Sequence, residues 1–211
     1  MYNLSYFKEN DQQIVLDFIH RHPFAFICGC DENSKPVATQ IPVFIEDREG
    51  KLYLSGHMMK QTDHHKAFEK NAEVLCVFTG HHTYVSATWY SNPAQASTWN
   101  YMSVHVKGKL KFLDEDALIE VLKKTSLHFE NGDKSSSTVY DNLPEDYRNK
   151  LIKAIVAFEV EVESIDNVFK LSQNRDKESY QHIVDKLKEQ DADGKTIADE
   201  MDKRINQVFP S

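Results

Sequence analysis

The period of apolar and polar positions changes several times along the chain, and each change marks an element. Ile14, Val15, Phe18 and Ile19 recur at helical spacing behind Asp11, a residue suited to capping, and Pro23 ends the segment, so a first helix is predicted. From Phe24 the pattern becomes that of strands. Phe24-Ala25-Phe26-Ile27-Cys28 reads as a buried strand, Asp31 to Pro36 as a turn, and Val37 to Ile45 as the hairpin partner. Lys51 to Ser55 predicts a third short strand and His64 to Lys70 a short helix. Ala72 to Thr79 predicts a fourth strand on the run Val74-Leu75-Cys76-Val77-Phe78. Short elements set close together are what a barrel requires.

Between Gly80 and Asn100 no period is visible, but His81, His82, Tyr84, Trp89, Tyr90 and Trp99 crowd the segment. Two tryptophans argue against disorder, so a functional loop is predicted there. Tyr101 to Leu113 alternates as a strand through Val104, Val106, Leu110 and Phe112, and Asp114 then caps a helix carrying Leu118, Val121 and Leu122. Pro144 suits the first position of another helix through Leu151 and Ile155, and Ala157 to Val162 alternates as the strand that closes the sheet. Beyond Arg175 the chain turns polar, with Ile183, Leu187, Ile197, Met201 and Ile205 as a thin helical stripe. This predicts two helices joined by a turn at Gln190 to Lys195. The fold class is α+β and mainly β.

Composition narrows the class. The 211 residues are 40% hydrophobic and 11% aromatic, enough to bury one sizeable core with appended helices. No apolar run approaches the roughly 18 residues of a membrane span, and Met1 to Asn10 lacks the order of a signal peptide, so a soluble cytoplasmic protein with no membrane partner is expected. The formal net charge of −8 opposes bulk neutralisation of phosphates, and direct DNA contact would need a local basic patch. Three cysteines, Cys28, Cys30 and Cys76, make a disulfide framework improbable. The Cys28-Gly-Cys30 pair lacks a second pair at zinc-finger spacing.

Candidate chemistry gathers in three places. Gly56-His57, Lys60 and His64-His65-Lys66 place anion-binding groups between a strand and a helix start. They suit a phosphate cradle, although taken alone they read more simply as a solvated basic turn. Thr98-Trp99-Asn100-Tyr101 leads into Ser103-Val104-His105, an array of donors with aromatic surface that suits a flavin edge, or else an aromatic plug with a polar rim. Lys170-Leu171-Ser172-Gln173-Asn174-Arg175 carries ammonium, hydroxyl, amide and guanidinium groups for an anionic or carbonyl-rich ligand, or is simply the entry to a helix capped by Asn174 or Asp176. Ten histidines raise a metal or haem alternative, but His64-His65 and His81-His82 are adjacent pairs whose rings diverge. No nucleophile elbow is present.

Taken in order, Tyr84-Val85-Ser86 with Trp89-Tyr90, Thr98-Trp99-Asn100-Tyr101 with His105 and Gly108, and Lys170 to Arg175 resemble the PaiB-type family of FMN-binding negative transcriptional regulators. Tyr2 to Phe7 and His22-Pro23-Phe24-Ala25 resemble that family's start. The resemblance implies the split β-barrel shared with pyridoxamine-phosphate oxidases, in which two chains build two FMN sites at their interface. By that analogy Thr39, Gln40, Ile41, Pro42 and Val43 line the flavin ring, and Ser55, Gly56, His57 and Lys60 hold the ribityl phosphate. Thr98, Asn100, Tyr101, Ser103 and His105 then supply donors, and Lys170, Gln173, Asn174 and Arg175 reach the ligand across the dimer. Residues 1–175 would be the flavin-binding domain and 176–211 a helical extension packed on it. The implied role is negative regulation by a homodimer, through a small-molecule ligand or a partner and with any DNA contact indirect. A flavin-dependent oxidoreductase and a haem-binding split-barrel protein are the alternatives.

Overall fold

A computed structural model describes residues 1–92 and 94–210. The helices are α1 (Gln12–Arg21), α2 (Asp63–Lys70), α3 (Glu115–Phe129), α4 (Glu145–Ala154), α5 (Lys177–Lys188) and α6 (Ala192–Val208). The strands are β1 (Phe24–Cys30), β2 (Pro36–Arg48), β3 (Lys51–Met59), β4 (Glu73–Val85), β5 (Thr98–Phe112) and β6 (Ile155–Lys170). Hydrogen bonding orders them as a closed barrel, β1-β2-β3-β6-β5-β4. Contacts group the chain into two compact units, one of Ile19–Phe78 with His105–Ile165, the other of Met1–Phe18 and Thr79–Val104 with the chain from Asp166 onward.

Helix starts follow the sequence closely where a side-chain cap is at hand. Asp11 accepts from the Gln13 amide at 2.9 Å, and Thr62, Asp114, Asp176 and Asp191 each accept from a first-turn amide of the helix they precede. Each such cap contributes about 1 kcal/mol. Pro144 stands one position earlier than expected, as the residue before α4. The Asp191 cap likewise starts α6 inside the predicted turn, accepting from Gly194 at 2.9 Å.

The strands run longer than their apolar patterns. Thr83 is buried on β4 and donates to Gln190 Oε1 at 3.3 Å, so the strand continues to Val85 through what reads as an irregular loop. Asn167 is buried on β6. Its side chain accepts from the Glu9 amide at 2.8 Å and donates to the Glu9 carbonyl at 2.9 Å. Both positions bury a polar residue, and a satisfied polar group is tolerated there. Phe24 and Phe26 correct the expectation in the other direction. They are 55% and 41% exposed, and only Ala25 and Ile27 of β1 point into the core.

Within the first unit, β3 pairs antiparallel with β2 (Val43↔Gly56) and with β6 (His57↔Ala157), and Leu54, Met58, Cys76, Val106 and Phe158 are buried. Leu118, Val121 and Leu122 of α3 cover this unit through a cluster with Tyr140, Ile155 and Ala157. In the second unit α5 and α6 share a core of Ile183, Leu187, Ile197 and Met201, with the Tyr180 hydroxyl donating to the Met201 carbonyl at 2.9 Å.

Gly108 lets β5 lie close against β6. A Cβ there would lie 2.1 Å from the Glu161 carbonyl oxygen and 2.8 Å from Val160 Cγ1. Backbone cannot yield as a flexible side chain does, so Gly108→Ala is expected to destabilise the protein by about 3 kcal/mol, the upper end of overpacking costs. Urea denaturation checks this, and an unchanged midpoint would contradict the close approach.

Candidate functional site

The expected site residues fall into two groups, one in each compact unit, with His105 half-buried on the β5 segment of the barrel unit. In that unit Thr39, Gln40, Ile41 and Pro42 on β2 stand opposite Ile27, Phe26, Ala25 and Phe24 of β1, and Val43 stands opposite Gly56 of β3. The outer side of this hairpin carries the exposed rings of Phe24 and Phe26 beside exposed Gln40 and half-buried Pro42. That is an open apolar sheet face with one amide on it.

The two-residue alternation of a strand sets Leu54, Gly56 and Met58 on the inner face of β3 and Ser55, itself buried, with His57 on the other. Gly56 is set by packing: a Cβ would meet the Phe158 ring at 2.8 Å and the Pro42 carbonyl at 2.9 Å. Ser55 lines a cavity of about 540 Å³ with Arg48, Lys111, Lys124, Glu46 and Glu159. The cations there are matched, Glu159 lying 2.5 Å from Arg48 and 3.1 Å from Lys111, and Glu46 pairing with Lys124.

His57 and Lys60 are different. His57 Nδ1 is buried with no hydrogen-bond partner among the described residues, and burial holds the ring's pKa below its ordinary value, so it is neutral at neutral pH. Lys60 donates from its amide to the Ala154 carbonyl at 2.9 Å and from Nζ to the Ile152 carbonyl at 3.4 Å. No carboxylate of the described residues pairs with it. A polar ring atom without a partner and an uncompensated ammonium are what a phosphate group would complete.

The helix start expected to assist them does not. His57 lies inside β3 because the strand runs to Met59, and the first turn of α2 is closed by its own residues. Thr62 Oγ1 accepts from the His65 amide at 3.3 Å and Asp63 from the His64 amide at 2.8 Å. The Asp63 carboxylate also puts negative charge where an anion would sit.

In the second unit, Thr98 opens β5 and Lys170 closes β6. Lys170 Nζ donates to Thr98 Oγ1 and, at 2.6 Å, to the Trp99 carbonyl. The turn that follows is held by side chains. Gln173 Oε1 accepts from the Leu171 amide at 2.7 Å and its Nε2 donates to the Phe169 carbonyl at 2.5 Å. Ser172 has a φ of 63°, a left-handed conformation costing about 1 kcal/mol for a residue with a Cβ, and its hydroxyl donates to Asn100 Oδ1 at 3.0 Å. Asn100 is fully buried and Ser103 buried, Tyr101 is half-buried, and Asn174 is exposed. Asp176 rather than Asn174 caps α5, accepting from the Ser179 amide at 2.9 Å.

Sequence reasoning missed how Tyr90, Ser91 and Gln95 are latched down. The Arg175 guanidinium lies 4.1 Å from the centre of the Tyr90 ring, donates to the Tyr90 hydroxyl at 3.3 Å and bonds Gln95 Oε1, while its Nε is buried without an acceptor. Ser91 adds bonds to Ser179 Oγ at 2.9 Å and Asp176 at 3.1 Å. His81 Nδ1 lies 2.5 Å from Asp193 at the start of α6. These partners are 80 to 112 residues apart in sequence, beyond any local signal. Among the described residues no group of three or more His, Cys, Asp or Glu side chains is placed to hold a metal, and no helix is long and apolar enough to cross a membrane. Burial raises the Cys76 thiol to about 12, which keeps it protonated.

Comparison with known proteins adds three findings. Residues 1–164 match the family described as "Putative FMN-binding domain". The chain is 31% identical to "Protease synthase and sporulation protein PAI 2" of Bacillus subtilis (strain 168), over 98% of this chain and 99% of that protein. Two solved structures share the fold. The FAD and heme binding protein from Mycobacterium smegmatis has a TM-score of 0.58 at 17% identity over 77% of this chain and 72% of that one. The flavocytochrome Anf3 from Azotobacter vinelandii has a TM-score of 0.56 at 19% identity over 80% and 72%. The closed barrel and these neighbours establish the split β-barrel expected from sequence. FMN, the cofactor expected there, is the one for which the matched family is described. With a domain match across most of its length and a relative aligned almost end to end, the chain belongs to the PaiB-type family of FMN-binding-domain proteins.

Proposed function

We propose that the protein is a homodimeric FMN-binding regulator that lowers expression of target genes, with FMN seated on the outer side of β2 and β3. The observation that carries this is His57 Nδ1, buried and unpartnered, on the strand that leads into the uncompensated Lys60 ammonium. In this reading Thr39 to Val43 line the ring, with Gln40 as a donor to its carbonyl edge. Ser55, His57 and Lys60 receive the phosphate, His57 through a neutral ring N–H and Lys60 through its charge. Gly56 supports them by letting β3 lie close over Phe158. Bound FMN supplies a redox-active isoalloxazine ring. Asn100 and Gln173 are left out of the ligand set because their side chains already bond within the chain.

The dimer rests on the exposed Phe24 and Phe26 rings, which share one face of β1 and would leave water on pairing with a second copy. The regulatory role rests on the relative named for protease synthesis and sporulation. The net charge of −8 favours action through a ligand or a partner over tight direct DNA contact.

Two outcomes are expected. His57→Ala combined with Lys60→Ala should weaken FMN by tenfold or more while leaving riboflavin nearly unchanged. Charge-assisted bonds to phosphate contribute about 1.5 to 3 kcal/mol each, and riboflavin has no phosphate to lose them. Equal weakening of both flavins, read by fluorescence titration, would place the phosphate elsewhere. Sedimentation at micromolar concentration should show a dimer, and a stable monomer there would count against the shared site.

A further inference from the structure

The 170–175 turn carries two charges that no carboxylate among the described residues neutralises. In the same unit, cations with little exposure are matched by carboxylates. Lys8, with its side chain 17% exposed, lies 2.6 Å from Asp166, and Arg204, 11% exposed, lies 2.6 Å from Glu200 and 3.5 Å from Glu9. Lys170 and Arg175 are half-buried, and among the described residues neither has a carboxylate within ion-pair distance. Arg175 Nε is a buried donor without an acceptor, although the rest of the guanidinium is occupied by Tyr90 and Gln95. Charge withdrawn from water without a counter-charge is costly, and a donor with no acceptor adds to that cost.

The backbone is arranged to keep the two cations where they are. Ser172 holds its left-handed conformation through the buried Asn100, and Gln173 ties both of its polar ends to the turn itself. The Arg175 amide closes the turn on the Ser172 carbonyl at 3.0 Å. Lys170 and Arg175 thereby both address the segment from Gln95 to Trp99, Lys170 through Thr98 and Trp99, Arg175 through Gln95. Burial, and then the nearby Arg175, lowers the Lys170 pKa, as expected of two cations awaiting an anion.

We propose that Lys170 and Arg175, together with the Thr98 hydroxyl, form a binding site for a small oxyanion, a phosphate monoester or a carboxylate. Lys170 supplies a point charge and Arg175 its free Nε–H, with Tyr90 stacked on the guanidinium to fix its plane. The flavin's own phosphate is assigned to His57 and Lys60, so the oxyanion here is that of a separate small molecule.

Inorganic phosphate is the probe, followed by thermal denaturation of the full chain. The wild-type melting temperature should rise saturably with phosphate. Lys170→Gln and Arg175→Gln should each weaken the apparent phosphate affinity at least tenfold, Lys170→Arg should largely retain it, and Lys195→Gln, exposed on α6, should not change it. Arg175→Gln also loosens Tyr90 and Gln95, so Lys170→Gln, which leaves that latch intact, is the cleaner variant. Repeating the titration with FMN and riboflavin separates the two sources. Undiminished phosphate binding at saturating FMN supports a separate anion, whereas competition by FMN and not by riboflavin would put the flavin's phosphate here and overturn the separate site. No phosphate-dependent rise in wild type, or an equal rise in Lys170→Gln and Arg175→Gln, would overturn it. The site is read from phosphate alone, so it stands or falls independently of flavin binding.

Discussion

The pairing of β3 with β6 closes the barrel, and the chemistry of the first unit depends on that closure. The register sets His57 opposite Ala157 and Gly56 opposite Phe158, so small and large side chains alternate across the seam. With Gly56 lying over the Phe158 ring and Gly108 against the Glu161 carbonyl, β6 is gripped from both neighbouring strands without room for a Cβ at either contact. A one-residue slip would turn Ser55 and His57 into the core and bring Leu54 and Met58 out. The same pairing brings the end of β3 beside the end of α4, where Lys60 finds the Ala154 and Ile152 carbonyls and, among the described residues, no carboxylate. The ring and the ammonium available to a phosphate are thus set by barrel closure and not by a helix terminus.

Charge is distributed unevenly over an acidic molecule. On the cavity beside Ser55, Arg48, Lys111 and Lys124 are matched by Glu159 and Glu46, and such pairs serve mainly to keep one another satisfied. At Lys60, Lys170 and Arg175 the matching stops among the described residues. A chain with eight more acidic than basic side chains does not lack carboxylates to place there, so their absence at these positions is informative.

Much of the fold is legible in the sequence because it rests on local signals. Asp11 and Asp114 cap where their position before an apolar stripe implies, and the β1–β2 hairpin sits around the expected turn. What is not legible rests on polar residues facing inward. Thr83 extends β4 and Asn167 extends β6, and the apolar pattern stops short of both because each is satisfied by a partner distant in sequence, Gln190 and Glu9. The site shows the same division. His57, Lys60, Lys170 and Arg175 stand out by residue type and by family resemblance. The place of His57 inside a strand, the closure of the α2 start by Asp63 and the Arg175–Tyr90 stack are tertiary facts. Asn100 is the instructive case: its amide suits a ligand edge, yet it is fully buried and spends its carbonyl on holding Ser172 in a strained turn.

The central claim is that this barrel holds FMN, and equilibrium titration of FMN into the wild-type protein, followed by flavin fluorescence, tests it most directly. Ring burial against the sheet face predicts saturable quenching that ends at one flavin per chain. Fluorescence that stays at the level of free FMN throughout, with protein in excess, would contradict the account.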